Sequence, residues 1–297
     1  MAQENEIVTT EHGYKVFAQP PSQEFLNEYY SQKYYQDPQG TYQAEYTPQE
    51  QSQRKLRIQL LEDFVNLNSI NFAQTQKNFL DVGCGEGYVL SHFRSKGWEV
   101  TGLDFSTHGA RMNNPDLERF IIQGDVYVSV QNLKSLELKY HAIFLGNILE
   151  HVLDPGALID LMYSLLEDDG LLCITVPNDF SALQSYLIES GEVPNPYWLG
   201  FPDHLNYFDL QSLTNLLNAS NLPVIDQFAD FPIEWYLVNP QSNYASDNSK
   251  GKSAHNSRVI LDRMINEATN EEAKMNFWRS LSALGFGRSI NTISRKR

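Results

Sequence analysis

From residue 78 onward, short β-type runs alternate with stretches of helical pattern, and no other feature constrains the fold of this 297-residue chain as strongly. Such alternation is typical of a parallel sheet with crossover helices on its faces. It predicts a doubly wound α/β domain whose core covers residues 78–177. The core strands are expected at 78–82, 98–103, 118–123, 141–146 and 171–176.

Residues that start and stop helices extend this domain on both sides of the core. Thr47-Pro48-Gln49-Glu50 combines a capping box with proline at the first helical position, which predicts a helix from there. Helices are also expected from about Glu86 to Lys96 and from Asp154-Pro155 to just before Asp169-Gly170. The later elements are a long loop over 178–208, a helix from Asp209, a strand near 222–228, helical residues 258–280 and a strand near 287–295.

The chain divides at about residue 46. Residues 1–46 are polar, acidic and rich in tyrosine, and neither a helical nor a strand period dominates there. Two interpretations are open for this segment: a partly ordered tail that packs on the domain surface, or a lid that closes over a pocket. Residues 47–297 are expected to form the main domain.

The charge and the cysteine content exclude several classes of function. A formal net charge of −15 at pH 7 disfavours nucleic acids and anionic membranes as partners, because both bind basic surfaces. Two cysteines, Cys84 and Cys173, indicate neither a disulfide framework nor a zinc site, and no metal is expected. The absence of a leader pattern and of a long apolar run favours a cytoplasmic protein with a small-molecule partner. The oligomeric state is not predicted.

The first core strand runs into a turn that carries three glycines, in the stretch FLDVGCGEGY. Gly83, Gly85 and Gly87 remove the Cβ from alternate residues, so the main chain can approach a ligand closely beside the start of a helix. Dinucleotide sites use G-x-G-x-x-G, whereas this turn has the tighter spacing G-x-G-x-G. Glu86 in the turn is also expected to repel a pyrophosphate. The pattern therefore indicates a ligand without phosphates.

Acidic residues close the next two strands. Asp104 ends the second strand, where a carboxylate can accept both hydroxyls of a ribose, although such a residue can also cap a helix. Asp125 ends the third strand, where it can accept from the amine of an adenine or form an ordinary Gly-Asp turn. The context favours the ligand-binding role for both.

Taken together, FLDVGCGEGY, VTGLDFS, QGDV and AIFLGNILEHVLDP resemble the successive ligand motifs of class I S-adenosylmethionine-dependent methyltransferases. The resemblance implies a Rossmann-like sheet of seven strands with the last strand antiparallel. An N-terminal helical cap and a helical insertion at about 240–282 before the last strand are expected in addition, and the insertion departs from the minimal family pattern. The implied cofactor is S-adenosylmethionine. Its implied contacts are Asp81, Gly83, Cys84, Gly85, Gly87, Asp104, Phe105, Asp125, Val126, Gly146 and Asn147.

The implied reaction is methyl transfer to an oxygen or nitrogen of a small molecule. His151 and His204 are candidate bases for an acceptor that must lose a proton, and each can equally be a structural histidine. The segments PDHLNYF and GFGRSINTISRK resemble a subgroup that modifies sugars or glycans. A nucleotide-dependent oxidoreductase and a non-catalytic binding scaffold are the alternatives. Candidate substrate contacts are Asn178, Asp179, Tyr197, Trp198 and Tyr207.

Overall fold

The computed structural model describes residues 6–29, 46–70, 72 and 76–297. The strands are β1 (Ile7–Thr9), β2 (Lys15–Phe17), β3 (Asn78–Val82), β4 (Glu99–Asp104), β5 (Ile121–Gln123), β6 (Tyr140–Gly146), β7 (Leu166–Pro177), β8 (Asn206–Tyr207), β9 (Val224–Ala229) and β10 (Ser289–Arg295). The helices are α1 (Gln23–Glu28), α2 (Pro48–Asn68), α3 (Tyr88–Ser95), α4 (His108–Asn113), α5 (Val126–Ser135), α6 (Pro155–Leu165), α7 (Ala182–Glu189), α8 (Leu210–Ala219), α9 (Gly251–Asn266) and α10 (Glu271–Ala283).

Seven strands form the central sheet in the order β5-β4-β3-β6-β7-β10-β9. The neighbours from β5 to β7 pair in parallel, and β10 pairs antiparallel with both β7 and β9. Helices cover both faces, because buried residues of α5, α6 and α8 pack on one face and those of α2, α3 and α10 pack on the other. The predicted fold class, a doubly wound seven-stranded sheet with an antiparallel last strand, is therefore confirmed.

Several element boundaries differ from the prediction. The third core strand begins only at Ile121, because Pro115–Phe120 forms a 3-10 helix. Helix α6 ends at Leu165, and the predicted turn at Asp169-Gly170 lies inside β7. There the pairing of β7 with β6 is irregular and Asp169 adopts a positive φ of 60°. The helical insertion contains two helices, and Asn270 caps the second by accepting from the main-chain N–H of Ala273.

Aromatic stacking ties α2 and α3 to the sheet. The ring of Phe79 in β3 stacks on Phe93 of α3, with centroids 3.9 Å apart. Phe64 of α2 stacks on Phe228 of β9, with centroids 4.1 Å apart. The predicted capping box at the start of α2 is present, because Thr47 Oγ1 accepts from the Glu50 N–H and the Glu50 carboxylate accepts from the Thr47 N–H. Helix α2 therefore lies across the sheet with its first turns near the carboxyl ends of the strands.

The described part of the N-terminal segment is structured. Strands β1 and β2 form a hairpin, and β2 pairs with β8 to make a second, three-stranded sheet. The short helix α1 follows, with Leu26 buried. Residues 30–45, which hold most of the tyrosines of the predicted tail or lid, lie outside the described residues. In the described ranges, we find no helix that combines the length and the apolar character needed to cross a bilayer.

Candidate functional site

A cavity of about 420 Å³ opens at the carboxyl ends of β3, β4, β5 and β6. The strand order reverses here, because the chain adds β4 and β5 on one side of β3 and then crosses to β6 on the other side. Open α/β sheets bind ligands at such a point. We call it the β4 cavity. Its lining consists of Gln23, Leu26, Tyr46, Gly83, Gly85, Glu86, Leu103, Asp104, Phe105, Gly124, Asp125, Val126, Tyr127, Gly146, Asn147, Ile148, His151, Val152 and Leu153.

Two glycines shape the turn after β3 for different reasons. Gly83 has a φ of +70°, and a Cβ built on it would lie 2.0 Å from the Ile148 side chain. Gly85 has a φ of +50°, and a Cβ built on it would meet nothing within 4 Å. Gly83 is therefore required by the packing of the turn, whereas Gly85 leaves its main chain open to a ligand. Gly87 starts α3 and lines neither this cavity nor the one described below.

The carboxylates of Asp104 and Asp81 lie at the tips of adjacent strands. Asp104 accepts from the Gly85 N–H at 2.8 Å and from the Ser106 N–H at 2.9 Å, so it holds the glycine turn while lining the cavity. Burial, and then the neighbouring charge of Asp104, raise the pKa of Asp81 to about 8. Because a nearby cation would stabilise the charged form of Asp81, the α-ammonium of a bound amino acid fits beside this carboxylate.

At the far end of the β4 cavity, apolar side chains surround one acid. Phe105, Val126 and Leu103 line the wall, together with Asp125. Asp125 also caps α5, because its Oδ1 accepts from the Val128 N–H at 3.1 Å. A flat aromatic base between apolar side chains, with a carboxylate at its edge, suits this lining. The residues present therefore fit the adenosine part of S-adenosylmethionine.

Glu86 does not act as the sequence suggested. Its carboxylate pairs with the Arg54 guanidinium at 3.1 Å, and Arg54 lies between the rings of Tyr46 and Tyr88. Glu86 would therefore repel a pyrophosphate less than its charge alone predicts, because Arg54 balances that charge. The sequence analysis missed Arg54 and Tyr46. The only signal for them was the capping box, which places the start of α2 near the glycine turn.

A second cavity, of about 520 Å³, lies between α2, α9 and the ends of β7, β9 and β10. We call it the α9 cavity. It meets the β4 cavity, since Tyr46, Gly83, Glu86, Gly146 and Asn147 line both. Asp81 and Cys84 also line the α9 cavity. Of the eleven predicted cofactor contacts, all except Gly87 thus line one of two joined cavities.

The two candidate bases lie side by side. His151 lines the β4 cavity, and its ring lies 4.9 Å from that of His204, centroid to centroid. The segment of His204 is held against that of His151 because Asn206 Nδ2 donates to the carbonyls of Leu149 and Val152. Within the described residues, His204 itself lines neither cavity. His151 is therefore the better placed of the two.

The surroundings of His151 favour its charged form. Its Nδ1 lies 2.9 Å from the Asp203 carbonyl oxygen and 3.4 Å from Asp203 Oδ1, while Nε2 lies 3.8 Å from Glu150 Oε1. Burial opposes the charge, but Asp203 and Glu150 outweigh it and raise the pKa of His151 to about 9. Burial, and then His151, lower the pKa of His204. Although no metal was predicted, Glu150, His151 and His204 place three donor atoms within 4.8 Å of one another.

Two of the predicted substrate contacts bind the segment between α10 and β10. Asn178 Nδ2 donates to the carbonyls of Gly285 and Gly287 at 3.0 and 3.1 Å. Asp179 is buried and pairs with Arg288 at 2.8 Å. Within the described residues, neither lines the β4 cavity or the α9 cavity.

The aromatic candidates pack with one another. Trp198 and Tyr207 are buried with Phe17 of β2 in a small core of their own, against which Tyr197 packs. The Tyr207 hydroxyl donates to the His204 carbonyl at 2.9 Å. As delimited by the described residues, neither cavity is lined by these three rings. The structure therefore does not bring the five predicted substrate contacts together with the cofactor contacts.

Comparison with known proteins gives a consistent result. The methyltransferase domain family matches residues 50–227. A ubiquinone biosynthesis O-methyltransferase of Psychrobacter cryohalolentis is 28% identical over 106 residues, which cover 34% of this chain and 41% of that protein. A ubiquinone biosynthesis O-methyltransferase of Paraburkholderia xenovorans is 25% identical over 179 residues. These residues cover 57% of this chain and 72% of that protein. A solved SAM dependent methyltransferase from Archaeoglobus fulgidus aligns with a TM-score of 0.48 at 20% identity, covering 93% of this chain and 100% of the other.

Proposed function

The chain belongs to the class I S-adenosylmethionine-dependent methyltransferases, and from this membership we propose that it methylates a hydroxyl oxygen of a small molecule. One observation carries the cofactor part of the proposal. An open glycine turn lines two joined cavities at the carboxyl edge of the sheet. Asp81, Asp104 and Asp125 line them too, and they lie at or just beyond the carboxyl ends of β3, β4 and β5. Relatives named as O-methyltransferases support oxygen over nitrogen as the acceptor atom.

Each part of the site has a separate task in this proposal. When bound, S-adenosylmethionine supplies a methyl group that its sulfonium has already activated. Asp104 would accept the ribose hydroxyls, Asp125 the adenine amine, and Asp81 the α-ammonium group. Gly146 and Asn147 line both cavities, so they lie where donor and acceptor meet. Alignment of the two reactants and exclusion of water would supply much of the rate.

A hydroxyl acceptor also has to lose its proton. His151 lines the β4 cavity and is hydrogen-bonded to Asp203, which fixes the orientation of its ring. We propose His151 as the base, with Asp203 as a positioning residue. Because the pKa of His151 is raised to about 9, the neutral form that accepts a proton is the minor form at pH 7.

Calorimetry with S-adenosylhomocysteine tests the cofactor assignment. We expect binding by the natural protein, and we expect Asp104→Ala to weaken it by about 2 kcal/mol through lost hydrogen bonds to the ribose. NADH and ATP serve as controls. Tight binding of NADH in place of S-adenosylhomocysteine would favour the oxidoreductase alternative, and unchanged affinity in Asp104→Ala would contradict the role of Asp104.

The acceptor atom is tested separately, with methyl-labelled S-adenosylmethionine and matched hydroxylated and aminated compounds. Transfer to the hydroxylated members is expected. Transfer only to amines would contradict the choice of oxygen, and cofactor binding without transfer to any compound would favour the non-catalytic scaffold. Free sugars and glycan precursors belong in the same panel, because a sugar acceptor is a prediction from the subgroup resemblance alone.

A further inference from the structure

Most of the cations that line the α9 cavity have carboxylate partners. Arg57 Nε donates to Asp262 at 2.7 Å, and its Nη2 lies 3.3 Å from Asp230 Oδ2. Arg54 pairs with Glu86 at 3.1 Å. The charges of these two arginines are therefore balanced within the protein.

Arg258 is the exception. Its Nη2 donates to His255 Nδ1 at 3.0 Å, which means that Nδ1 is an acceptor and that the ring hydrogen lies on Nε2, where it faces Glu50 Oε1 at 3.0 Å. Among the described residues, no carboxylate oxygen lies within 4.0 Å of the Arg258 guanidinium, and its buried Nε has no hydrogen-bond partner. Burial, and then the neighbouring Arg57, lower the pKa of Arg258. Asp230 and Asp262 act in the opposite direction and favour the charged form, yet neither pairs directly with this half-buried guanidinium. Arg258 is therefore left without a direct carboxylate partner, which a cation in such surroundings normally has.

The position of Arg258 relates it to the acceptor. It lines the same cavity as Gly146 and Asn147, which also line the β4 cavity. Thr175, Ser289 and Asn291 add polar groups between these points, and the lining also includes rings such as Phe144, Phe228 and Trp278. A volume of about 520 Å³ is sufficient for a small molecule beside the amino-acid end of the cofactor.

We propose that the α9 cavity binds the methyl acceptor and that Arg258 holds an anionic oxygen group on it, a carboxylate or a phosphate. The acceptor hydroxyl would extend past Gly146 and Asn147, which line both cavities, toward His151 in the β4 cavity. The proposal rests on the function proposed above and names the substrate class: a small hydroxylated acid. A guanidinium matches both groups because its planar donors pair with two oxygens at once.

The cofactor's own carboxylate is the other group that Arg258 could hold. Arg54 is better placed for that group, because it contacts Glu86 and Tyr88, the two residues that flank the last glycine of the turn. Arg258 lies on α9, which follows β9 in the chain and belongs to the inserted segment. We therefore assign Arg258 to the acceptor, and the experiment below separates the two roles.

The test uses the natural protein loaded with S-adenosylhomocysteine and matched pairs of probes. Hydroxybenzoates are compared with their methyl esters, and sugar phosphates with the free sugars, so the two arms distinguish carboxylate from phosphate. We expect at least one acid to bind about tenfold or more tightly than its neutral partner in calorimetry, as one charge-assisted pair supplies. Equal binding within every pair, or binding by neither member, overturns the proposal.

Variants then assign the effect to Arg258. Arg258→Gln should remove the preference for the acid while leaving affinity for S-adenosylhomocysteine within about twofold. Arg258→Lys keeps the charge without the planar donors of the guanidinium, so its preference for the acid should lie between that of the natural protein and that of Arg258→Gln. Arg263→Gln on the same helix, where Arg263 pairs with Glu267, is the matched control and should change neither. Weakened S-adenosylhomocysteine binding in Arg258→Gln would overturn the proposal in favour of the cofactor carboxylate.

The two proposals fail in different ways. If the natural protein does not bind S-adenosylhomocysteine, the proposed function itself is contradicted. If it binds S-adenosylhomocysteine and treats acids and esters alike, the proposed function stands and only the role of Arg258 is lost. Thermal unfolding of each variant checks that the substitution leaves the fold intact, and the comparison of acids with esters in the natural protein needs no variant.

Discussion

The two joined cavities are lined in different ways. The β4 cavity is lined largely by residues that directly follow strands β3, β4, β5 and β6, so the sheet itself places them. The α9 cavity depends on side chains that meet across long stretches of chain, such as Arg57 with Asp262, 205 residues apart. The difference indicates that the sheet itself determines the first cavity, whereas the second depends on long-range contacts that the sheet does not fix.

The largest effect is expected at His151, where the β4 cavity meets the segment of Asp203. His151→Gln should lower kcat by about 100- to 10,000-fold with affinity for S-adenosylhomocysteine unchanged, if His151 is the base. Burial opposes the charge, but Asp203 and Glu150 raise the pKa of His151 to about 9. Below pH 9, the neutral fraction of His151 therefore increases about tenfold for each unit by which the pH rises. As a result, kcat/KM should rise with pH and level off near pH 9.

The histidine prediction has a matched control in His204, whose ring lines neither cavity within the described residues. His204→Gln should retain most of the turnover and shift only the midpoint of the pH profile. A flat profile, or full turnover in His151→Gln, would show that the acceptor does not lose its proton to His151.

The sequence predicted the β4 cavity well for a physical reason. Asp104 and Asp125 end short strands, and the carboxyl ends of parallel strands lie together at one edge whatever the loops do. The same reasoning does not locate the residues of the long loop. Asn178 directly follows β7 and Tyr207 lies in the short strand β8, yet both are buried in contacts with segments distant in the chain. Arg258 could not be singled out from the sequence around it. The role proposed for it depends on the lack of a direct carboxylate partner among the described residues, and only the fold shows this.

Gly83→Ala tests the claim that the fold itself specifies the first cavity. The added methyl would lie 2.0 Å from Ile148 at a φ of +70°, so we expect a loss of about 3 kcal/mol in the free energy of unfolding. Urea unfolding followed by circular dichroism measures it. Gly85→Ala, at a positive φ but in open space, is the control, with an expected loss of about 1 kcal/mol. Equal losses in the two variants would contradict the packing role of Gly83.

Arg57→Met tests the long-range contacts of the α9 cavity. Its partner Asp262 has a side chain that is 1% exposed, so among the described residues the substitution leaves this buried carboxylate with the side-chain amides of Gln53 and Asn266 as its side-chain donors. Because the Arg57 side chain itself is 32% exposed, water screens part of the pair, and we expect a loss of about 2 kcal/mol in stability. Arg263→Met, at a surface pair, should cost less than about 0.5 kcal/mol. Equal stability of the two variants would mean that the buried pair contributes nothing.

The smallest effect is expected at the start of α2, the helix that contributes to both cavities. Thr47 Oγ1 accepts from the Glu50 N–H at 3.3 Å, and Thr47→Ala removes this cap at an expected cost of about 1 kcal/mol in stability. Thr47→Ser keeps the hydroxyl and should retain the stability. Because Arg54 and Arg57 lie about two and three turns beyond Thr47 along α2, the loss of the cap loosens the helix upstream of both. Thr47→Ala is compared with the natural protein on two measurements, affinity for S-adenosylhomocysteine and the preference for acids over their neutral partners. A larger fall in the first would mean that α2 contributes more to the β4 cavity than to the α9 cavity. The two cavities would then be less independent than their linings suggest.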